Sequence, residues 1–134
     1  MARILVVDDE ENIRRLYAME LSGAGHQAET AATVAQAREI FERGGIELVV
    51  LDLKLAEAEG GLEALKWLRA RDRRMPIVIN TAYPSYQADF SSWLADAYLV
   101  KSGNLDELKG TIEKLLHPGR KPGADAAAGE PAAP

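Results

Sequence analysis

Positions 48–53 read LVVLDL: Leu48, Val49, Val50 and Leu51, four consecutive apolar residues, then Asp52 and Leu53. A run this apolar, bounded by polar sequence, suits a strand covered on both faces, as in a parallel sheet. Asp52 then falls at the carboxyl end of that strand. Ligands of open parallel sheets sit in the crevice beyond those ends, so an acid there is placed for chemistry. An isolated Asp at a strand end more often only stabilises the turn that follows. The reading of Asp52 therefore depends on what the other strands deliver.

Upstream, RILVV at positions 3–7 is a second such run, and it ends in Asp8, Asp9 and Glu10. Positions 11–23 carry Ile13, Leu16, Tyr17 and Leu21 at helical spacing, with Gly23 and Gly25 as the stop. Positions 26–31 read as a short strand. Thr33 with Gln36 has capping-box spacing ahead of a helix striped by Val34, Ala37, Ile40 and Phe41, which ends at Gly44 and Gly45. Downstream, a loop over 54–60 leads to a third helix with Leu62, Leu65 and Leu68 as its buried stripe. Pro76 and the run Ile77, Val78, Ile79 open a fourth strand that ends at Asn80 and Thr81. A fourth helix starting at Pro84 and Ser85 places Tyr86, Phe90, Trp93 and Leu94 on one face. Positions 97–100 form a fifth strand that delivers Lys101. Asn104, with Glu107 three residues on, caps the last helix, whose core face is Leu105, Leu108, Ile112, Leu115 and Leu116.

Five alternating strand and helix units predict an α/β fold, a doubly wound five-stranded parallel sheet with helices on both faces. Right-handed crossovers leave few topologies, and in the order 2-1-3-4-5 the carboxyl ends of the strands converge on one edge. The 134 residues fit a single domain, expected over 1–117. Of the last 17 residues 13 are Pro, Gly or Ala, so 118–134 is expected to be a flexible tail that cannot bury enough surface to offset its ordering entropy.

Cysteine is absent, which excludes disulfides and thiolate metal sites and fits a cytoplasmic protein. The apolar run at the start is neither a secretory h-region nor long enough to span a bilayer, so no membrane is expected as a partner. A net charge of -5 argues against a nucleic-acid surface. Arg69, Arg71, Arg73 and Arg74 read as the solvated end of a helix, where cations favour the dipole. His26 and His117 lie apart from the acids and imply no zinc site.

The strand ends together supply Asp8, Asp9, Asp52, Thr81 and Lys101. Three crowded carboxylates repel one another unless a cation joins them. Oxygen-only ligands with no His or Cys suit a hard divalent ion, and a shallow site that keeps its waters and recruits phosphate oxygens suits Mg²⁺. A carboxylate beside Mg²⁺ can act as a nucleophile on phosphorus and form an acyl phosphate. The Lys101 ammonium would then neutralise phosphoryl oxygens while the Thr81 hydroxyl donates a hydrogen bond to one of them.

With these groups in this order, the chain resembles the receiver domains of two-component response regulators, a flavodoxin-like (βα)5 fold, over residues 2–117. The resemblance is carried by VVDDE, LDL, the Thr81-Ala82 pair and the run Tyr98-Leu99-Val100-Lys101. It implies that Asp52 is the phosphoacceptor and that Asp8 and Asp9 are the acid pair, with Asp9 the more direct metal ligand. The backbone carbonyl of Lys54 would complete the protein's share of the Mg²⁺ shell. Thr81 and Tyr98 match the switch pair, in which the hydroxyl moves toward the phosphoryl group and the ring turns inward. Ala82 matches the small residue that leaves the site accessible. The chain departs from the pattern twice. Ser102 stands where the family usually has Pro, often with a cis bond. The loop after Asp52 reads AEAEGG, with an apparent extra residue and the added charges of Glu57 and Glu59, where the family usually has a Pro and one Gly.

The expected function is a phosphorylation-controlled switch in a phosphorelay. It would accept its phosphoryl group from a sensor histidine kinase or His-phosphotransfer protein and signal to an effector protein not identified by the sequence. No further domain follows the last predicted helix, so output is expected from a single-domain regulator, through the face of its fourth helix, fifth strand and fifth helix. Five of the eight aromatic residues, Tyr83, Tyr86, Phe90, Trp93 and Tyr98, fall there, and any left exposed would anchor a partner. The expected state is a monomer or weak homodimer. A phosphatase with an external substrate would need a second acid near its nucleophile, and the position two after Asp52 is Lys54. A receiver-shaped scaffold that is never phosphorylated would be expected to lack an acid, the Thr or the Lys, and all are present.

Overall fold

The apolar runs become strands because both of their faces find cover. The computed structural model describes residues 2–52, 60–82, 95–102 and 104–117. In chain order these form β1 (Arg3–Val7), α1 (Glu11–Gly23), β2 (Gln27–Ala31), α2 (Val34–Glu42), β3 (Leu48–Leu51), α3 (Gly60–Arg71), β4 (Ile77–Thr81), β5 (Ala97–Val100) and α4 (Asp106–Leu116). The five strands are all parallel and lie in the predicted order β2-β1-β3-β4-β5. Side chains alternate between the two faces. Leu5, Val7, Val49, Leu51, Ile77 and Ile79 pack with Val34 and Ala37 of α2 and with Ala64, Leu65 and Leu68 of α3. Ile4, Val6, Leu48, Val50 and Val78 pack with Tyr17 and Leu21 of α1 and with Leu108 and Ile112 of α4.

Register carries this order through to the strand ends. Val7 pairs with Leu51, Leu51 with Ile79, and Thr81 with Val100. Backbone bonds continue one step past the strands: the Asp8 N–H donates to the Ala31 carbonyl at 3.0 Å, Asp52 to Val7 at 3.0 Å, and Lys101 to Thr81 at 2.8 Å.

Local signals act as read, with three refinements. The Thr33 hydroxyl accepts the Gln36 N–H at 3.1 Å, but the Gln36 side chain returns to the Ala32 N–H (2.7 Å), one residue before the capping residue itself. Asn104 accepts the N–H of Asp106 at 2.8 Å, two residues on, in place of a capping box with Glu107. The arginine cluster is not simply solvated. Arg69 donates to the carbonyls of Arg73 (2.9 Å) and Met75 (2.8 Å) and pairs with Asp96 (3.1 Å). Arg71 pairs with Glu42 at 2.6 Å and lies 5.3 Å from the Trp67 ring. These side chains satisfy carbonyls of the turn after α3 and join the helix to α2 and to Asp96, just before β5.

His26 is a buried connector. Its Nδ1 accepts the Ala2 N–H at 3.2 Å, which puts its proton on Nε2, and that nitrogen donates to Glu113 of α4 at 3.0 Å. The expected fourth helix, positions 56–59 of the AEAEGG stretch and the 118–134 tail lie outside the described residues, while the two glycines that close the stretch, Gly60 and Gly61, already belong to α3. No helix among the described residues is long and apolar enough to cross a membrane.

Leu65 is fully buried under the sheet, whereas Met19 on α1 is 65% exposed. Leu65→Ala is expected to cost about 3 kcal/mol in urea unfolding through the cavity it leaves, and Met19→Ala less than about 0.5 kcal/mol.

Candidate functional site

β1 and β3 are neighbours in register and both run into acids, so Asp8 and Asp52 emerge side by side. They are only 2% and 5% exposed. Asp9 is half-buried, and one carboxylate oxygen from each of the three lies within 4.8 Å of the others. Like charges this close and this poorly hydrated need a counter-charge. Lys101, at the end of β5, supplies it: its Nζ lies 2.7 Å from Asp8 Oδ2, 3.0 Å from Asp52 Oδ2 and 3.7 Å from Glu10 Oε1. Burial by itself would lower the pKa of this ammonium. The hydrogen bonds to Asp8 and Asp52, and the charge of both carboxylates, outweigh burial and raise it above the ordinary lysine value. Lys101 is therefore a cation throughout the neutral range.

The acid loop is braced from α1. Asp8 Oδ1 accepts the Glu10 N–H at 2.9 Å, closing a side-chain turn. The Asp8 carbonyl accepts a bond from Arg14 Nη1 at 2.8 Å, one helical turn on. Thr81 is the fully buried last residue of β4, and Ala82 beside it is exposed. Tyr98 is half-buried on the face of β5 shared with α2 and α3. After Lys101, the Ser102 hydroxyl accepts the Asn104 N–H at 3.0 Å, so a side-chain turn shapes the loop where proline is usual in receivers. No cis peptide bond occurs among the described residues. Lys54, whose carbonyl the sequence reading assigned to the metal shell, lies outside the described residues, as do Glu57 and Glu59.

The structure thus brings Asp8, Asp9, Asp52 and Lys101 into one cluster, with Thr81 on the adjoining strand end. Three carboxylates and no nitrogen or sulfur donor fit a hard divalent cation such as Mg²⁺. A buried carboxylate beside an ammonium is also equipped for nucleophilic attack on an anionic, phosphorus-centred electrophile. Two supports join the residues the sequence assigned to the site. Arg14, one turn into the helix after the acids, had no sequence signal, whereas Glu10 was visible as the third acid of the run. A third, the 2.6 Å hydrogen bond from Asn80 Nδ2 to the Tyr17 hydroxyl, lies beneath the cluster. Its signal was the polar Asn80 in an otherwise apolar run.

A family model for the response regulator receiver domain matches residues 4–113. The alginate biosynthesis transcriptional regulatory protein AlgB of Pseudomonas aeruginosa is 35% identical over 116 residues, 85% of this chain and 26% of that protein. The regulatory protein AtoC of Escherichia coli is 30% identical over 116 residues, 85% of this chain and 25% of that protein. The chain spans about a quarter of the length of these curated relatives. Among solved structures, the response regulator protein TrrA of Thermotoga maritima, in complex with Mg²⁺-BeF, is 45% identical with a TM-score of 0.81, covering 87% of this chain and 100% of that one. TrrA in complex with the histidine kinase ThkA is also 45% identical, with a TM-score of 0.79 and coverage of 87% and 99%.

Lys101→Met is expected to lower stability by about 2 kcal/mol in metal-free buffer, because it leaves Asp8 and Asp52 without their counter-charge. A raised lysine pKa stabilises the fold fully below the unfolded value and loses that contribution only as pH climbs through the folded one. The deficit should therefore stay constant from about pH 6 to about pH 9 and shrink only in stronger alkali, as read by urea unfolding of both proteins.

Proposed function

The chain belongs to the response regulator receiver domains, the signalling switches of two-component systems, and on that premise we propose that it accepts a phosphoryl group on Asp52. The observation that carries this reading is the setting of Asp52: buried at the end of a central strand, 3.0 Å from an ammonium and in one cluster with two further carboxylates. The donor is a phosphohistidine of a sensor kinase or phosphotransfer protein. The related TrrA has been solved in complex with a histidine kinase. A carboxylate oxygen of Asp52 attacks phosphorus as the P–N bond to the donor imidazole breaks. The imidazole leaves with the electron pair of that bond and takes up a proton.

Mg²⁺ held by Asp8, Asp9 and Asp52, with the Lys54 carbonyl, would neutralise phosphoryl oxygens during transfer. Lys101 contributes a second positive charge, exchanging its bonds to the carboxylates for one to the phosphoryl group. The Thr81 hydroxyl donates to another phosphoryl oxygen, and Ala82, being small, leaves the approach open. As Thr81 moves, Tyr98 turns inward on β5. The change is read by an effector protein on the face of β5 and α4, in a monomer or weak homodimer.

Incubation with acetyl phosphate and Mg²⁺ should add one phosphoryl group to the intact mass, with no gain in Asp52→Asn or without Mg²⁺. Thr81→Ala should be phosphorylated about tenfold or more slowly, having lost one donor to the transferring group. A full gain in Asp52→Asn would remove Asp52 as the acceptor.

A further inference from the structure

A buried polar pair lies beneath this site and takes no part in the chemistry above. Asn80 Nδ2 donates to the Tyr17 hydroxyl at 2.6 Å, and the two residues are 4% and 2% exposed. Strands of a parallel sheet covered on both faces are normally apolar, and the rest of β4 before Thr81 is Ile77, Val78 and Ile79. A buried amide gains little over an apolar side chain of similar shape in stability, even when hydrogen-bonded. It does add direction, because a hydrogen bond in low-dielectric surroundings fixes the separation and angle of the elements it joins.

The elements joined here are those that carry the site. Tyr17 stands on α1, which grows out of the acid loop and is tied to Asp8 through Arg14. Asn80 directly precedes Thr81 and pairs in register with Leu99, two residues before Lys101. Tyr17 also lies within the electrostatic reach of the cluster. Burial raises its phenol pKa, the Asn80 hydrogen bond and Lys101 oppose the rise, and Asp8 and Asp52 add to it, so the hydroxyl stays neutral. A cavity of about 10 Å³, room for one water, borders the pair and is shared with Ser102 and Asn104. The pair thus adjoins the loop that follows Lys101 as well.

We propose that the Tyr17–Asn80 hydrogen bond is a positioning element for phosphoryl transfer: it sets the acid loop against the Thr81 and Lys101 strand ends. This rests on the reading of Asp52 as the acceptor. Neither residue touches the phosphoryl group, and both act through Thr81 and Lys101.

Tyr17→Phe removes one oxygen and keeps the ring, and Asn80→Leu keeps the approximate shape. These two and the double variant are phosphorylated with acetyl phosphate and Mg²⁺ well below their melting temperatures, with intact mass followed in time. Mg²⁺ affinity is measured separately by calorimetry. Each single change is expected to slow phosphorylation on the order of tenfold, since small misplacements of aligned groups are costly to rate. The double variant should lose no more than either single one, and Mg²⁺ affinity should stay within about twofold, because one shared bond is removed. A pair that only stabilises the fold would lower the melting temperature and leave the rate alone. Wild-type rates in Tyr17→Phe, additive losses in the double variant, or a fall in Mg²⁺ affinity that accounts for the slower rate would each overturn the inference. If Asn80→Leu does not fold, Tyr17→Phe decides alone. A wild type that gains no phosphoryl mass removes the Asp52 reading and this inference together; a phosphorylated wild type matched by its variants removes this inference only.

Discussion

The ammonium of Lys101, shared between Asp8 and Asp52, is the interaction on which the site depends. Two nearly dry carboxylates at adjacent strand ends repel each other and have lost most of their hydration, and the ammonium offsets both costs. The cation comes from two strands away. About 10 Å of sheet, two strand spacings, separates β5 from β3, and the long lysine side chain crosses it. Because its charge sits at the end of a flexible stem, Lys101 can release the carboxylates when another anion arrives, which a rigid guanidinium fork would do less readily.

Those features of the chain that depend on near neighbours were legible from composition and spacing. Apolar runs too uniform to face water on either side marked β1, β3 and β4, and the polar residue closing each run marked the functional edge. Right-handed crossovers left few topologies, and in the order 2-1-3-4-5 the meeting of Asp8, Asp52 and Lys101 followed. The features that escaped depend on which side chain reaches which carbonyl. Arg69 belongs to a charged cluster at a helix end, a pattern that usually means solvation, yet its reach is long enough to take up the carbonyls of Arg73 and Met75. Asn80 and Tyr17 are 63 residues apart, and no local pattern links a tyrosine in a helix to an asparagine in a strand. Capping partners differed for a related reason. Gln36 and Asn104 each found a nearby backbone N–H other than the one a capping box uses.

Ser102 illustrates how a local substitution can be absorbed without disturbing the cluster. The loop between β5 and α4 has to turn while leaving Lys101 pointed at the acids. A proline would fix that turn through its ring. Here the serine hydroxyl takes the Asn104 N–H, and Asn104 in turn takes the Asp106 N–H. Two consecutive side-chain turns replace one covalent constraint, and Lys101 still reaches Asp8 and Asp52 at 2.7 and 3.0 Å. The constraint becomes a set of hydrogen bonds, which water can compete for and a ring cannot.

Lys101 directly follows β5, the last strand in chain order and an edge of the sheet. A ribosome therefore releases all three acids before it releases the residue that neutralises two of them. Without β5, β4 would be an open edge, and Asp8 and Asp52, at the ends of β1 and β3, would lack their ammonium. β5 closes that edge by pairing with β4 from Val78 to Thr81. Its docking covers the open edge of β4 and brings the missing charge in a single event. The pairing that completes the backbone ladder is thus also the one that sets Lys101 beside the acids.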